Sequence, residues 1–174
     1  TLGVATLIIV MSVMNGFRAE LIDRILGLNG HIGVFKTDGQ PLENYNEISF
    51  QLSEIPTIVA ATPQIQGQVM ATSSRNALGA VVRGVVWSDL AARKPLWSSL
   101  SQQAIAGFRD GGGILIGETM ALQLGVKPGE QISLLSAKGR TTAFGSLPTR
   151  RTYKIAGLFK VGMHEYDSSF VFMP

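Results

Sequence analysis

The first seventeen residues, Thr1 to Phe17, carry no charge and consist largely of Leu, Val, Ile, Ala and Met. As a helix rising ~1.5 Å per residue they cover roughly 25 Å, close to the ~30 Å hydrocarbon layer of a bilayer. No initiator Met or basic flank precedes them, and the run ends in Met14-Asn15-Gly16-Phe17, a poor context for signal cleavage. We therefore expect a chain that begins inside a transmembrane helix, with a buried core helix or a signal remnant as the alternatives. Phe17, Leu21, Ile25 and Leu28 continue at helical spacing, with Arg18, Asp23 and Arg24 elsewhere on the wheel. Gly27 and Gly30 then supply stops. Residues 1–30 thus read as the end of a membrane helix and a stalk.

The remaining ~145 residues are enough for one domain with its own core, or for two small subdomains. Charged residues make up only 16% of the chain, against ~25% in typical soluble domains, as a membrane segment and a partner-covered surface would produce. There is no Cys, which excludes disulfide scaffolds, thiolate metal sites and Cys nucleophiles. The net charge of +3 hides an asymmetry: Gln131 to His164 holds Lys138, Arg140, Arg150, Arg151, Lys154 and Lys160 and no acid. Such a window can steer a partner or be merely a solvated loop. It contains no recognised nucleic-acid module, so we expect no nucleic-acid partner.

Alternation predicts a strand over His31–Lys36, and apolar spacing a helix over Asn44–Leu52. Gln64–Ser73 and Ala77–Val86 read as a hairpin turning at Ser73–Asn76, the first strand burying Ile65, Gly67, Val69 and Ala71. Polar connections and a short helix near Leu90 follow. A buried strand over Gly113–Ile116, a helix over Glu118–Leu124 closed by Gly125, and a Pro128-Gly129 turn lead into a strand over Gln131–Leu135. Another strand is expected over Arg151–Phe159. Between them, Ser136–Arg150 reads as a long irregular loop, of the kind that is commonly functional or disordered. The run of β-type residues Ser169–Pro174 suggests a chain cut in mid-domain. The class is α+β.

Nothing here points to intrinsic catalysis. His31 and His164 are far apart, and no H-x-x-x-H, G-x-S-x-G or P-loop pattern occurs. Gly111-Gly112-Gly113 precedes a strand instead of opening a helix, so it makes a poor phosphate cradle. His164-Glu165-Tyr166-Asp167 reads as a polar turn, not a metal site. No metal and no cofactor are expected.

The stretch ILIGETMALQLGVKPGEQISLL resembles the periplasmic domains of MacB/FtsX-like ABC permeases. The stem TLGVATLIIVMSVMNGFRAEL…ILGL, together with Phe144-Gly145-Ser146-Leu147-Pro148-Thr149-Arg150-Arg151, is similar to the LolC/LolE family of lipoprotein-releasing permeases, on its LolC-like side. The resemblance implies a transmembrane helix followed by a mixed α/β periplasmic domain of two subdomains, residues 31–174, incomplete at its C-terminus and carrying a hook-like loop at 136–150. It implies a bacterial inner-membrane permease subunit that extracts outer-membrane lipoproteins and hands them to a periplasmic chaperone. Its partners would be a second permease subunit, as hetero- or homodimer, a cytoplasmic ATPase subunit that hydrolyses the ATP, and the lipoprotein itself. In the implied hook Phe144 is the apolar tip, Gly145 and Pro148 set the bend, Leu147 lies between, and Arg150 and Arg151 form the base. Ala143 departs from the pattern, where a proline is common. Val13 and Met14 match the end of the cavity-lining helix and would contact lipid. The alternatives are a related MacB/FtsX-type mechanotransmission permease, serving drug or toxin export or control of cell-wall hydrolases, and a soluble binding domain.

Overall fold

A helix of 28 residues, α1 (Leu2–Asn29), opens the chain. The computed structural model describes residues 2–142 and 145–174, with the backbone alone at 23, 24, 137–142 and 145–147. An 18-residue window of α1 has mean hydropathy 1.6 and is 0% buried against the rest of the chain. At ~1.5 Å per residue the helix is roughly 42 Å long, so about 12 Å of it exceeds the hydrocarbon layer. The charged residues of α1, from Arg18 onward, all lie in its C-terminal half. Gly30 ends the helix in a left-handed conformation (φ +74), its N–H bonding to the Leu26 carbonyl at 2.9 Å. Ile9 is 62% exposed near the middle of the uncharged run. A lysine at a spanning helix centre costs about 2.5–3.5 kcal/mol. Ile9→Lys should therefore sharply lower the fraction of α1 inserted in a translocon assay; undiminished insertion would refute the spanning assignment.

Among the described residues, six strands close into a barrel in the order β1-β2-β6-β3-β5-β4. They are β1 (Ile65–Thr72), β2 (Ala77–Gly84), β3 (Ile114–Gly117), β4 (Gln131–Thr142), β5 (Gly145–Phe159) and β6 (Phe170–Met173). β2 runs parallel to β6 and β3 parallel to β5; the other neighbours are antiparallel. Ala71, Ala80, Ile114, Ile116, Ile132, Leu134, Ile155 and Val171 make the inner core, with Met120, Ala121 and Leu124 of α6 (Glu118–Leu124). The end of α6 is a Schellman pair, Val126 N–H to the Ala121 carbonyl and Gly125 N–H to Leu122. The β1–β2 turn serves the same helix end. Ser73 Oγ donates to the Leu124 carbonyl at 2.7 Å, and Asn76 Nδ2 to Gln123 at 2.6 Å.

The strands alternate, so β3 and β6 send Leu115, Phe170 and Phe172 the other way, into a second core. That layer is roofed by α3 (Trp87–Ala92), α4 (Lys94–Trp97) and α5 (Gln102–Arg109), which contribute Leu90, Leu96, Ala104 and Phe108. One extra residue on β5 shifts the register between Ile114↔Ile155 and Leu115↔Gly157. After this bulge Gly157 lies under α5, where a Cβ would stand 2.1 Å from that of Ala104. Between β6 and its predecessor lies α7 (His164–Ser169).

Several expectations need correction. His31–Lys36 pairs with no strand among the described residues, and Ile32 and Phe35 stand 82% and 83% exposed. Extended backbone becomes a strand only where a neighbour accepts its ladder. The helix expected nearby is present as α2 (Tyr45–Ser53) but buries no residue, and residues 30–64 place no side chain in either core. The β1 face is buried only toward its end: Ile65 is 79% exposed, Ala71 fully buried. Ser136–Arg150 is not an irregular loop, since β4 and β5 pair across it through Arg140↔Leu147, Thr141↔Ser146 and Thr142↔Gly145. The register shift between Ser136 and Arg140 is what broke its alternation. His164–Asp167 is helical, and its buried Asp167 carboxylate accepts the Val161 and Gly162 N–H groups at 2.9 and 3.1 Å.

Candidate functional site: the β4–β5 ribbon

β4 is held on its other side by β1 only as far as Val69↔Ser136, and β5 meets β3 only from Ile155. Between those limits the two strands pair with each other alone among the described residues, as a two-stranded ribbon. Phe144, the expected tip, lies outside the described residues. Gly145 and Leu147 are ribbon positions opposite Thr142 and Arg140. Pro148 is exposed at the start of the base.

Arg150 and Arg151 are adjacent in sequence and divide between two faces, because successive strand residues point oppositely. Arg150 shares its face with Ser133 and Thr152: its Nη2 donates to Ser133 Oγ at 3.1 Å, and Ser133 Oγ and Thr152 Oγ1 lie 3.1 Å apart. Arg151 pairs with Leu134, on the face that leads into the inner core. It is exposed, and its side chain makes no hydrogen bond or ion pair among the described residues. Both arginines are exposed, and of the two guanidiniums only that of Arg150 is tied to a hydroxyl, Ser133, among the described residues. The two arginines expected at the base of the hook are thus placed by the pleat on opposite faces of the ribbon.

The basic window is not one patch either. Lys160 binds Glu118 at 2.8 Å on the far side of β5, and this exposed contact raises the proton affinity of the lysine. Lys154 lies opposite Gln131, near the start of β4.

Val13 and Met14 are 66% and 60% exposed on α1, well below the turn that docks on the barrel. The structure does not bring them together with the ribbon. Sequence reasoning missed a polar cluster at that docking turn. Arg83 of β2 is only 4% exposed, and it donates to the Leu28 carbonyl and Asn29 Oδ1 at 3.2 Å each. Arg93 reaches the same Leu28 carbonyl at 2.6 Å. Strand alternation gave one available signal, a lone Arg83 amid Val81, Val82 and Val85.

Comparison with known proteins accords with this architecture. The profile of the MacB-like periplasmic core domain matches residues 1–174. A lipoprotein-releasing system transmembrane protein LolC of Xylella fastidiosa is 30% identical over 167 residues, 95% of this chain and 40% of that protein. LolC of Neisseria meningitidis serogroup B is 28% identical over 97% of this chain and 40% of its own length. LolE of Haemophilus influenzae is 25% identical over 99% of this chain and 42% of its own length. The chain therefore spans about two-fifths of these relatives. With an apolar N-terminal helix, an α+β domain and a profile match from end to end, the chain belongs to the family of MacB-like periplasmic core domains and is similar to LolC-type permeases.

Proposed function

We propose that this chain is part of a permease subunit of a lipoprotein-releasing ABC transporter, anchored by α1 in the bacterial inner membrane with its barrel in the periplasm. The subunit pairs with a second permease copy, as hetero- or homodimer, and with a separate ATPase subunit that supplies the hydrolysis. The lipoprotein enters between membrane helices, where Val13 and Met14 contact its acyl chains; the polarizable Met suits varied lipid. The β4–β5 ribbon is the hook that holds the periplasmic lipoprotein chaperone. The observation that carries this reading is a two-stranded ribbon continuing past the barrel ladder, with cations at its base, in a chain similar to LolC proteins. A MacB/FtsX-type permease of other function is expected to lack such a hook.

In the hook, the aromatic Phe144 fills an apolar groove on the chaperone while Arg150 and Arg151 meet acceptors at its rim. Full-length protein in detergent should capture the chaperone. Phe144→Ala and the pair Arg150→Ala/Arg151→Ala should each weaken capture by roughly tenfold or more, as expected for anchor residues. Calorimetry or interferometry on immobilised chaperone reads this directly. Unchanged affinity in both variants overturns the hook assignment.

A further inference from the structure

The last turn of α1 meets the barrel in an unusual electrostatic arrangement. Leu28 is 1% exposed, packed in the outer core with Leu90 and Leu96. Gly27 lies flat on Pro95, close enough that a Cβ would stand 3.3 Å from Pro95 Cγ. The Asn29 side chain touches the Tyr166 hydroxyl and also accepts from Arg83. Two guanidiniums, from β2 and from the α3–α4 junction, then converge on the single Leu28 carbonyl.

Neither arginine forms an ion pair among the described residues. Arg83 has as its further partners the Gln66 side chain at 3.2 Å and the Phe170 ring, 4.9 Å below its guanidinium. Its Nε is buried with no acceptor. Arg93 has Gln64 Oε1 at 3.4 Å. Burial, and then the Arg93 charge, lower the proton affinity of Arg83, with the Tyr166 phenol acting in the opposite sense. Burial likewise lowers that of Arg93, which Asp89 partly offsets. Two like charges placed together in a half-dry site need a negative potential. The C-terminal carbonyls of a long helix supply one, equivalent to roughly half an elementary charge. Those same carbonyls lack intrahelical donors and, once buried, need external ones.

We propose that Arg83 and Arg93 lock the C-terminal turn of α1 to the barrel, making the membrane helix and the barrel one rigid body. Without the helix end the two charges face each other with only glutamines as neutral acceptors, and without the charges the buried Leu28 carbonyl is orphaned. Each side therefore holds the other in place, and a tilt of α1 in the bilayer is delivered to the barrel undiminished. The inference rests on α1 crossing the membrane and is independent of what the ribbon binds.

The chain has no cysteine, so spin labels can be placed at will in the full-length protein, freed of any other cysteines, in lipid nanodiscs. Arg18→Cys on α1 and Leu122→Cys on α6 report the helix–barrel distance by pulsed dipolar spectroscopy. Val86→Cys with Leu122→Cys reports the barrel alone. We expect a single narrow helix–barrel distance with both arginines present. In Arg83→Met/Arg93→Met it should be lost to a broad distribution while the internal barrel distance is kept, since methionine removes two dehydrated charges and fills the same volume. A helix–barrel distance as narrow in the double variant as in the parent overturns the lock. Should the double variant lose its internal barrel distance, Arg93→Met alone decides, because that side chain lies nearer the surface: broadening supports the lock and an unchanged distance overturns it. None of these readings involves the chaperone, so failure here leaves the hook assignment standing.

Discussion

Gly117→Ala is expected to destabilise the barrel by about 3 kcal/mol, the upper end for overpacking a tight site. The glycine closes β3 and opens α6 with φ −66 and ψ 147, a conformation open to any residue. Backbone strain is therefore no part of the effect. A Cβ there would stand 2.1 Å from the Asp167 carbonyl oxygen, 2.5 Å from its carbon and 2.7 Å from its Cα. These are main-chain atoms of α7, which no rotamer change can move aside. Displacing them pulls the Asp167 carboxylate off the Val161 and Gly162 N–H groups and weakens two charge-assisted hydrogen bonds. Trp87 and Trp97, the chain's two tryptophans, pack edge-on at 5.0 Å in the outer layer. Their fluorescence against denaturant reads the loss. Gly67→Ala, where a Cβ meets nothing within 4 Å, serves as the control and should be neutral or slightly stabilising. Equal midpoints for the two variants would contradict the packing described.

Phe172→Ala should cost about 3–5 kcal/mol, a large share of the 5–15 kcal/mol typical of a domain. β6 sits between β2 and β3 and closes the barrel, and Phe172 is fully buried on its outer face, edge-on to Phe159 at 5.2 Å. The cavity would open in the core that also receives Leu28. The variant should therefore loosen the seat of α1 as well as the barrel, and Trp fluorescence should report both a lower midpoint and a changed native baseline. Leu122→Ala, at a position 76% exposed on α6, should stay within about 0.5 kcal/mol of the parent. A Phe172→Ala midpoint as high as that of Leu122→Ala would refute the two-layer core.

Legibility differed from element to element. α6 and its surroundings were readable because local chemistry decides them: an acid in the first turn, Gly125 in the left-handed position, Gly129 at φ +91 after Pro128. The β1–β2 hairpin was readable from its polar turn. α5 was missed although Ser101 caps the Ala104 N–H at 3.2 Å, since Ala104 and Phe108 are a short apolar signal amid glycine and glutamine. The ribbon was misread as irregular because its register shifts, which no period-2 test tolerates. The face on which each of Arg150 and Arg151 lies follows from the β4 pairing and is absent from their spelling.

The amino-acid order alone determined the apolar span of α1, its glycine stop, the α+β class and the individual short elements, because these depend on groups within a few residues of one another. The tertiary structure decided that six strands close on themselves and that a bulge at β5 lets α5 rest on Gly157. It also decided that Arg83 and Arg93, far from α1 in sequence, meet at the Leu28 carbonyl in its last turn. Those features depend on which distant backbone supplies the missing partner, and burial makes a partner obligatory without naming it.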